Sequence, residues 1–168
     1  MRSFRAGLEI DPGDAQLHRF LAVTHQNIAV YRQEQGLDPA PGYESALRHF
    51  GEAIRLDPQD AHGYRESGAA RRSYGLYLQS QNGDSEPYLR SSLQDLNRAV
   101  ELDPSDAKAF FGRGVTSIHL AEQGKDPGEA RRLREEAGSD LRRASEINPD
   151  LLAEAERWRR RLGDATPE

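Results

Sequence analysis

The sequence predicts an all-α protein built from repeated pairs of antiparallel helices. First, an apolar residue followed by Asp-Pro or Asn-Pro recurs at four regularly placed sites, with spacings of 46, 46 and 45 residues. Second, the residues before these sites are apolar at steps of three and four, which is one face of a helix. Third, β-branched residues are scarce and alanine is abundant, which favours helices over strands. The four prolines are Pro12, Pro58, Pro104 and Pro149.

One helix of each pair is predicted to end at this proline motif. The residue before a proline is disfavoured in the α region, so the helix stops there. Two residues after each of the first three prolines stands an aspartate, which is placed to cap the next helix by accepting a hydrogen bond from a free N–H. These aspartates are Asp14, Asp60 and Asp106.

Longer loops rich in Gly, Asp and Pro separate the two helices within a pair. Glycine there ends one helix, and Asp followed by Pro starts the next. We therefore expect eight helical segments and no strand. The segments are 1–10, 14–35, 39–56, 60–80, 86–102, 106–123, 127–147 and 150–162.

Composition excludes several functional classes. The 168 residues carry 23 basic and 28 acidic side chains, a net charge of only −5, and no cysteine. The lack of cysteine excludes disulfides, a thiolate nucleophile and a cysteine-ligated metal. No apolar run reaches the roughly 18 residues of a membrane helix. The N-terminus lacks the apolar core of a signal peptide, so the prediction is a cytoplasmic protein without a membrane partner.

Enzyme and nucleic-acid signatures are also missing. The sequence has no Gly-rich phosphate loop after a strand and no Gly-x-Ser-x-Gly elbow. His18 and His25 lie two helical turns apart, and we interpret them as surface or packing residues rather than metal ligands. The segment from Lys125 to Leu162 contains 10 basic and 9 acidic residues, and this near balance indicates solvated helix faces. We expect no catalysis, no cofactor, no metal and no nucleic-acid partner.

These features resemble tetratricopeptide repeats over nearly the whole chain. The pattern Ala46-x3-Phe50-x2-Ala53 and its counterparts match the second helix of the family repeat. Tyr64 followed by Gly68, and Phe110 followed by Gly114, match the first helix. The units are about 12 residues longer than the 34-residue family repeat, and the extra length falls between the two helices. The resemblance implies a right-handed superhelical solenoid of antiparallel helix pairs.

We expect a single array over residues 1–162 with a flexible tail at 163–168. The truncated first unit suggests that the chain is cut from a longer protein or that its start codon is misassigned; alternatively, segment 1–10 packs on a second copy. Mid-helix Gly68 and Gly114 are expected where helices approach closely. The parts of the array are a partial repeat 1–12, repeats 14–58, 60–104 and 106–149, and a capping helix 150–162.

The resemblance implies that the first helices line a concave face that binds peptides. This face is basic, which would suit an acidic or C-terminal peptide. The family's carboxylate clamp for chaperone tails fits poorly, because Val23 and Glu66 stand where it needs asparagines and Gly112 where it needs a basic residue. The residues carried over by position are Gln16, Arg19, Gln26, His62, Arg65, Arg72, Lys108 and Phe111.

The resulting hypothesis is a non-catalytic scaffold that binds a peptide or partner protein on the concave face. One alternative is the regulatory or docking region of a larger enzyme, such as a bacterial protein kinase or glycosyltransferase. Another is a self-assembling oligomer that pairs through segment 1–10.

Overall fold

The structure, a computed structural model, describes residues 10–163. Over that range it contains helices and loops and no strand. The helices are α1 Ala15–Glu34, α2 Ala40–Leu56, α3 Ala61–Ser80, α4 Glu86–Leu102, α5 Ala107–Gln123, α6 Pro127–Ile147 and α7 Leu152–Gly163, with a 3₁₀ turn at Pro149–Leu151. Each of these helices begins and ends within two residues of its predicted segment. The predicted segment 1–10 and partial repeat 1–12 lie almost wholly outside the described residues, as do positions 164–168 of the predicted tail.

The three aspartates that follow the prolines all cap their helices. The side chain of Asp14 accepts a hydrogen bond from the Leu17 N–H at 2.9 Å. The side chain of Asp106 accepts two, from Lys108 at 2.9 Å and from Ala109 at 3.1 Å. Each cap satisfies N–H groups that have no partner inside the helix, as the sequence predicts.

The second helices end where the prolines require it. Asp57 has φ −130° and ψ 86°, and Asp103 has φ −133° and ψ 90°, so both leave the α region just before a proline. The first helices end differently. Gly36 at φ 68° and Asn82 at φ 57° adopt the left-handed conformation that closes α1 and α3.

The helices pack as three consecutive antiparallel pairs, α1 with α2, α3 with α4, and α5 with α6, and α7 covers the last pair. Each second helix also packs against the first helix of the following pair. In the described range, the first helices of successive pairs contact one another, whereas the second helices do not. The first helices therefore line the inside of the curved array.

Small residues allow the helices of a pair to approach closely. A Cβ atom added at Gly68 would lie 2.7 Å from Leu96 Cγ, and one at Gly114 would lie 3.1 Å from Leu141 Cγ. Ala22, the counterpart on α1, is completely buried. The mid-helix glycines thus stand where the sequence predicts close packing, because a larger side chain would force the helices apart.

In the second and third pairs, a carboxylate of the second helix is held by side chains of the first helix. Asp95 on α4 accepts hydrogen bonds from Ser67 Oγ at 2.7 Å and Arg71 Nε at 2.8 Å. Asp140 on α6 accepts two from Arg113, both at 2.7 Å. These contacts satisfy partly buried charges and fix how each second helix lies on its partner.

Candidate functional site

All eight residues proposed for the concave face lie on first helices. Their placement on the inner surface stays a prediction. Gln16, Arg19 and Gln26 are on α1, His62, Arg65 and Arg72 are on α3, and Lys108 and Phe111 are on α5.

Arg19 links the first two pairs. Its Nη1 donates to Glu66 Oε2 at 3.1 Å, and its Nε lies 3.4 Å from Asp60 Oδ2. Asp60 is the cap of α3, so the guanidinium of α1 reaches the beginning of the next first helix. About a fifth of the Arg19 side chain remains exposed, and its charge is already compensated.

Arg65 makes the same connection one unit later. Its Nη1 donates to Asp106 Oδ2 at 3.0 Å, and Asp106 is the cap of α5. The third counterpart of this arginine is Phe111, which packs against the cluster of Val115, Ile118 and Leu141 instead. The position that corresponds to the cap aspartate is Leu151. A polar link between units is thus replaced by apolar residues at the last pair.

Arg72 also holds two units together. It is half-buried, and its Nη1 donates to the backbone carbonyl of Gly112 at 3.1 Å. Burial lowers the pKa of Arg72, and the nearby Glu154 carboxylate partly opposes that effect.

The inner surface is therefore less basic than the sequence indicates. Arg19 and Arg65 face three carboxylates, which belong to Asp60, Glu66 and Asp106. The prediction of a basic groove rested on the arginines and did not include the two cap aspartates, which compensate part of their charge. The sequence does contain a pattern that could have predicted these contacts, because Arg19 and Arg65 each stand 41 residues before the aspartate that they contact.

Three of the eight residues have exposed side chains and occupy equivalent positions in successive units. Gln16, His62 and Lys108 are 46 residues apart, and each is exposed near the start of its first helix. His62 Nδ1 lies 3.9 Å from Asp106 Oδ2. Lys108 makes no ion pair within residues 10–163. These three form a polar row across the units.

The histidines of the first pair pack against one another. His18 Nδ1 lies 3.1 Å from His49 Nδ1, and the His25 ring stacks on that of His49 with centroids 5.6 Å apart. His49 occupies the position that Asp95 and Asp140 hold in the later pairs. Among the described residues, no set of three or more His, Cys, Asp or Glu side chains could hold a metal ion.

None of the helices between Ala15 and Gly163 combines the length and apolar character that crossing a membrane requires.

Comparison with known proteins supports the fold directly. The first TPR of Spaghetti (RPAP3), bound to the HSP90 peptide SRMEEVD, superposes with a TM-score of 0.56 at 21% identity, covering 88% of this chain and 94% of that one. The Arabidopsis OM64 TPR domain gives 0.57 at 18% identity, covering 89% and 99%. The crystal structure of MamA gives 0.59 at 17% identity, covering 97% and 84%. No protein-family model matches the sequence, and no curated protein does either.

The described chain is thus an all-α helical solenoid. Its helix pairs have the fold of a tetratricopeptide repeat domain, with units lengthened to about 46 residues.

Proposed function

We propose that this chain is a non-catalytic interaction scaffold that binds a peptide or partner protein along its first helices. The observation that carries the proposal is the polar row of Gln16, His62 and Lys108, which repeats with the units and is exposed. A ligand lying across the units would meet one of these side chains from each pair. The similar RPAP3 domain is bound to a peptide, SRMEEVD, which supports this mode of use.

The charges of the inner surface narrow the chemistry of the ligand. Lys108 offers a cation that no described carboxylate neutralises, and it suits an acidic side chain or a C-terminal carboxylate. The three carboxylates around Arg19 and Arg65 would repel a uniformly acidic peptide. We therefore propose a peptide with one carboxylate placed at Lys108 and neutral, amide-rich residues near Gln16.

The same surface could bind a partner if this chain is the regulatory or docking region of a larger enzyme. Peptide selection would detect binding in either case. The absence of catalysis and of a nucleic-acid partner, and the cytoplasmic location, remain predictions.

Selection from a random-peptide library would test the scaffold function. We expect wild-type protein to enrich a family of peptides that share an acidic position, and Lys108→Glu to weaken their binding by on the order of tenfold or more, since an attraction becomes a repulsion. Lys125→Glu is the matched control, because Lys125 undergoes the same charge change in the exposed α5–α6 loop. Arg65 and Arg72 are poor choices, since both hold α3 against α5.

Two results would count against the proposal. Selection on the wild-type protein could enrich no peptide above background, which would remove the scaffold function itself. Enriched peptides could instead bind the Lys108→Glu and Lys125→Glu variants equally, which would move the site away from the inner surface.

A further inference from the structure

A cavity of about 360 Å³ lies in the groove between α4 and α6. The backbones of these two second helices lie apart, and α5 packs against both of them as the floor of the groove. An ion pair bridges the groove near the N-terminal ends of α4 and α6, where Arg90 Nη1 donates to Glu129 Oε1 at 2.9 Å. The cavity shares no residue with the proposed peptide surface. Its lining includes Leu93 and Asn97 of α4, Arg113 and Ser117 of α5, and Glu136 and Asp140 of α6.

The cavity coincides with an exchange of two residues between the second and third pairs. On α3, Ser67 is followed four residues later by Arg71, and both side chains donate to Asp95 of α4. On α5, the positions 46 residues further on hold Arg113 first and Ser117 second. The arginine of the third pair therefore stands one helical turn earlier, and a short serine side chain lies where the second pair has a guanidinium.

This exchange leaves the hydroxyl of Ser117 without a partner. Arg113 alone takes both carboxylate oxygens of Asp140, through Nε and Nη2 at 2.7 Å each. Ser117 is only 1% exposed, and within residues 10–163 its Oγ makes no hydrogen bond. A buried hydroxyl without a partner costs free energy, and buried polar groups are normally hydrogen-bonded. A ligand with an N–H group that reaches the floor of the cavity would supply the missing partner.

The lining of the cavity carries a net negative charge, because it contains one guanidinium and two carboxylates. The hydrogen bonds to Asp140 raise the pKa of Arg113; burial opposes this rise, and the charges of Asp140, Glu136 and Glu101 add to it. The Glu136 carboxylate lies 3.7 Å from Arg132 Nε in an exposed pair. Pairs of this kind contribute little, so Glu136 can turn to a ligand at small cost. The cavity therefore favours a cation over an anion.

We propose that this cavity binds a guanidinium group, in the place that corresponds to the guanidinium of Arg71 in the preceding pair. A guanidinium has five N–H donors in a fixed plane, and the Ser117 hydroxyl and the Glu136 carboxylate are available to accept from them. Leu93 offers an apolar wall for an aliphatic stem. Both an arginine side chain of a partner protein and a free guanidino compound carry this group. The proposal does not rest on peptide binding by the first helices.

Nuclear magnetic resonance titration of the full chain, labelled with ¹⁵N, would test this proposal. The probes are the tripeptide acetyl-Gly-Arg-Gly-amide and propylguanidine, which is the arginine side chain without its backbone. We expect saturable shifts at Ser117 and at the facing turns of α4 and α6, with dissociation constants on the order of a millimolar, since a single group makes few contacts. The same tripeptide with citrulline, whose side chain is neutral and nearly the same shape, should bind about tenfold more weakly.

The two probes distinguish the sources of the guanidinium. Tighter binding of the tripeptide would assign the cavity to an arginine of a partner protein, because the peptide backbone then adds contacts. Equal affinity would assign it to a free guanidino compound. Either result supports the proposal.

A double variant, Arg113→Ser with Ser117→Arg, would fill the cavity from within. It rebuilds the order of the second pair, in which Ser67 and Arg71 both reach the aspartate, so the array should remain folded. Binding of both probes should be lost. Circular dichroism would establish that the double variant is as helical as the wild type.

Glu136→Gln tests the charge without changing the packing, since Glu136 is exposed. It should weaken binding of both probes by on the order of fivefold. Glu135→Gln is the matched control, because Glu135 also lies four residues after an arginine that it contacts but does not line the cavity. It should leave the affinity unchanged.

Three results would overturn the proposal. The probes could cause no shift at Ser117 in the full chain, which would mean that the cavity binds no guanidinium or is filled by the chain itself. The citrulline tripeptide could bind as tightly as the arginine tripeptide. The folded double variant, or Glu136→Gln, could keep the affinity of the wild type. None of these results would affect peptide binding that depends on Lys108, so the two proposals fail separately.

Discussion

At Gly114 the helices of the last pair are so close that even a single methyl group would require its neighbours to move by a few tenths of an ångström. A Cβ atom there would lie 3.1 Å from Leu141 Cγ and 3.2 Å from the carbonyl oxygen of Ala137. Glycine in the middle of a helix costs about 1 kcal/mol relative to alanine. The close approach explains why that residue is nonetheless used.

We predict that Gly114→Leu destabilises the protein by roughly 1–3 kcal/mol, because the added side chain overpacks the contact between α5 and α6. Thermal unfolding followed by circular dichroism would measure the change. Gly51→Leu is the control: a Cβ there meets nothing within 4 Å, so helix propensity should stabilise that variant by up to about 1 kcal/mol. An unchanged melting temperature for Gly114→Leu would contradict the packing described.

His119 is a second residue whose surroundings have a measurable consequence. Its ring lies edge-on to Trp158, the only tryptophan, with centroids 5.4 Å apart. Burial lowers the pKa of His119 below the ordinary value of 6.5; the carboxylate of Glu122 opposes the shift, and the charges of Arg161 and Arg72 add to it. The folded state thus binds this proton less readily than the unfolded state does.

The sign of the pH dependence follows. As pH falls through about 6.5 towards the lower folded pKa, the unfolded state gains a proton that the folded state resists, so stability decreases. We predict that His119→Gln loses less stability than the wild type between about pH 7.5 and about pH 5.5. Urea unfolding followed by Trp158 fluorescence would measure it, with exposed His62→Gln as the control. Equal losses in wild type and His119→Gln would show that the pKa of His119 is the same in both states.

At the scale of the element, the aspartate caps have two functions. Asp106 satisfies two free N–H groups of α5 and also accepts a hydrogen bond from Arg65 of α3. Asp126, which caps α6, satisfies one N–H and lies at an exposed site. The same residue type therefore begins a helix in one place and joins two repeat units in the other.

We predict that Asp106→Ala destabilises the protein by about 2 kcal/mol or more, and Asp126→Ala by about 1 kcal/mol. The larger effect arises because removal of the Asp106 carboxylate also leaves the partly buried Arg65 without its hydrogen-bonded carboxylate partner. Asp106→Asn should fall between them, since an amide oxygen can still cap the helix. Midpoints of urea unfolding would rank the three variants, and equal values for both alanine variants would show that the link to Arg65 contributes nothing.

The elements also show what a sequence can and cannot predict here. Helix bounds and caps were predictable because each depends on residues within one turn, such as Asp14 and Leu17. The contacts of Arg19 with Asp60 and of Arg65 with Asp106 were not predicted, because each pair is 41 residues apart and depends on how successive units stack. Part of the proposed inner surface was therefore assigned a charge that the folded chain compensates.

At the scale of the whole molecule, each unit between residues 10 and 163 contacts only its neighbours, and α7 covers one end of that range. The stripe of Trp158 and Leu162 packs against Val115, Ile118 and Leu141 of the last pair. In such an array, stability is a sum of the contributions of each unit and its nearest interfaces. A change at one end is then felt most strongly in the adjacent unit.

We predict that Trp158→Ala increases hydrogen exchange in α5 and α6 and leaves α1 and α2 nearly unaffected. The variant opens the apolar cluster at the α7 end, whereas the first pair keeps its own cluster around Phe50. Exchange measured by mass spectrometry on peptides from each helix would resolve the gradient. A uniform increase over all helices would mean that the array unfolds as one cooperative unit.

The replacement of an arginine–aspartate link by Phe111 and Leu151 suggests a rule for building with these units. Each unit contacts the next through an arginine that lies five residues after its own cap aspartate. This arginine pairs with the aspartate that caps the first helix of the next unit. Adding a further unit after residue 149 would therefore require both residues of that ion pair. Phe111→Arg would supply the arginine, and an aspartate in the place of Leu151 would supply its partner. The link therefore runs in one direction along the array, and the pair of α5 and α6 lacks the arginine that would form it.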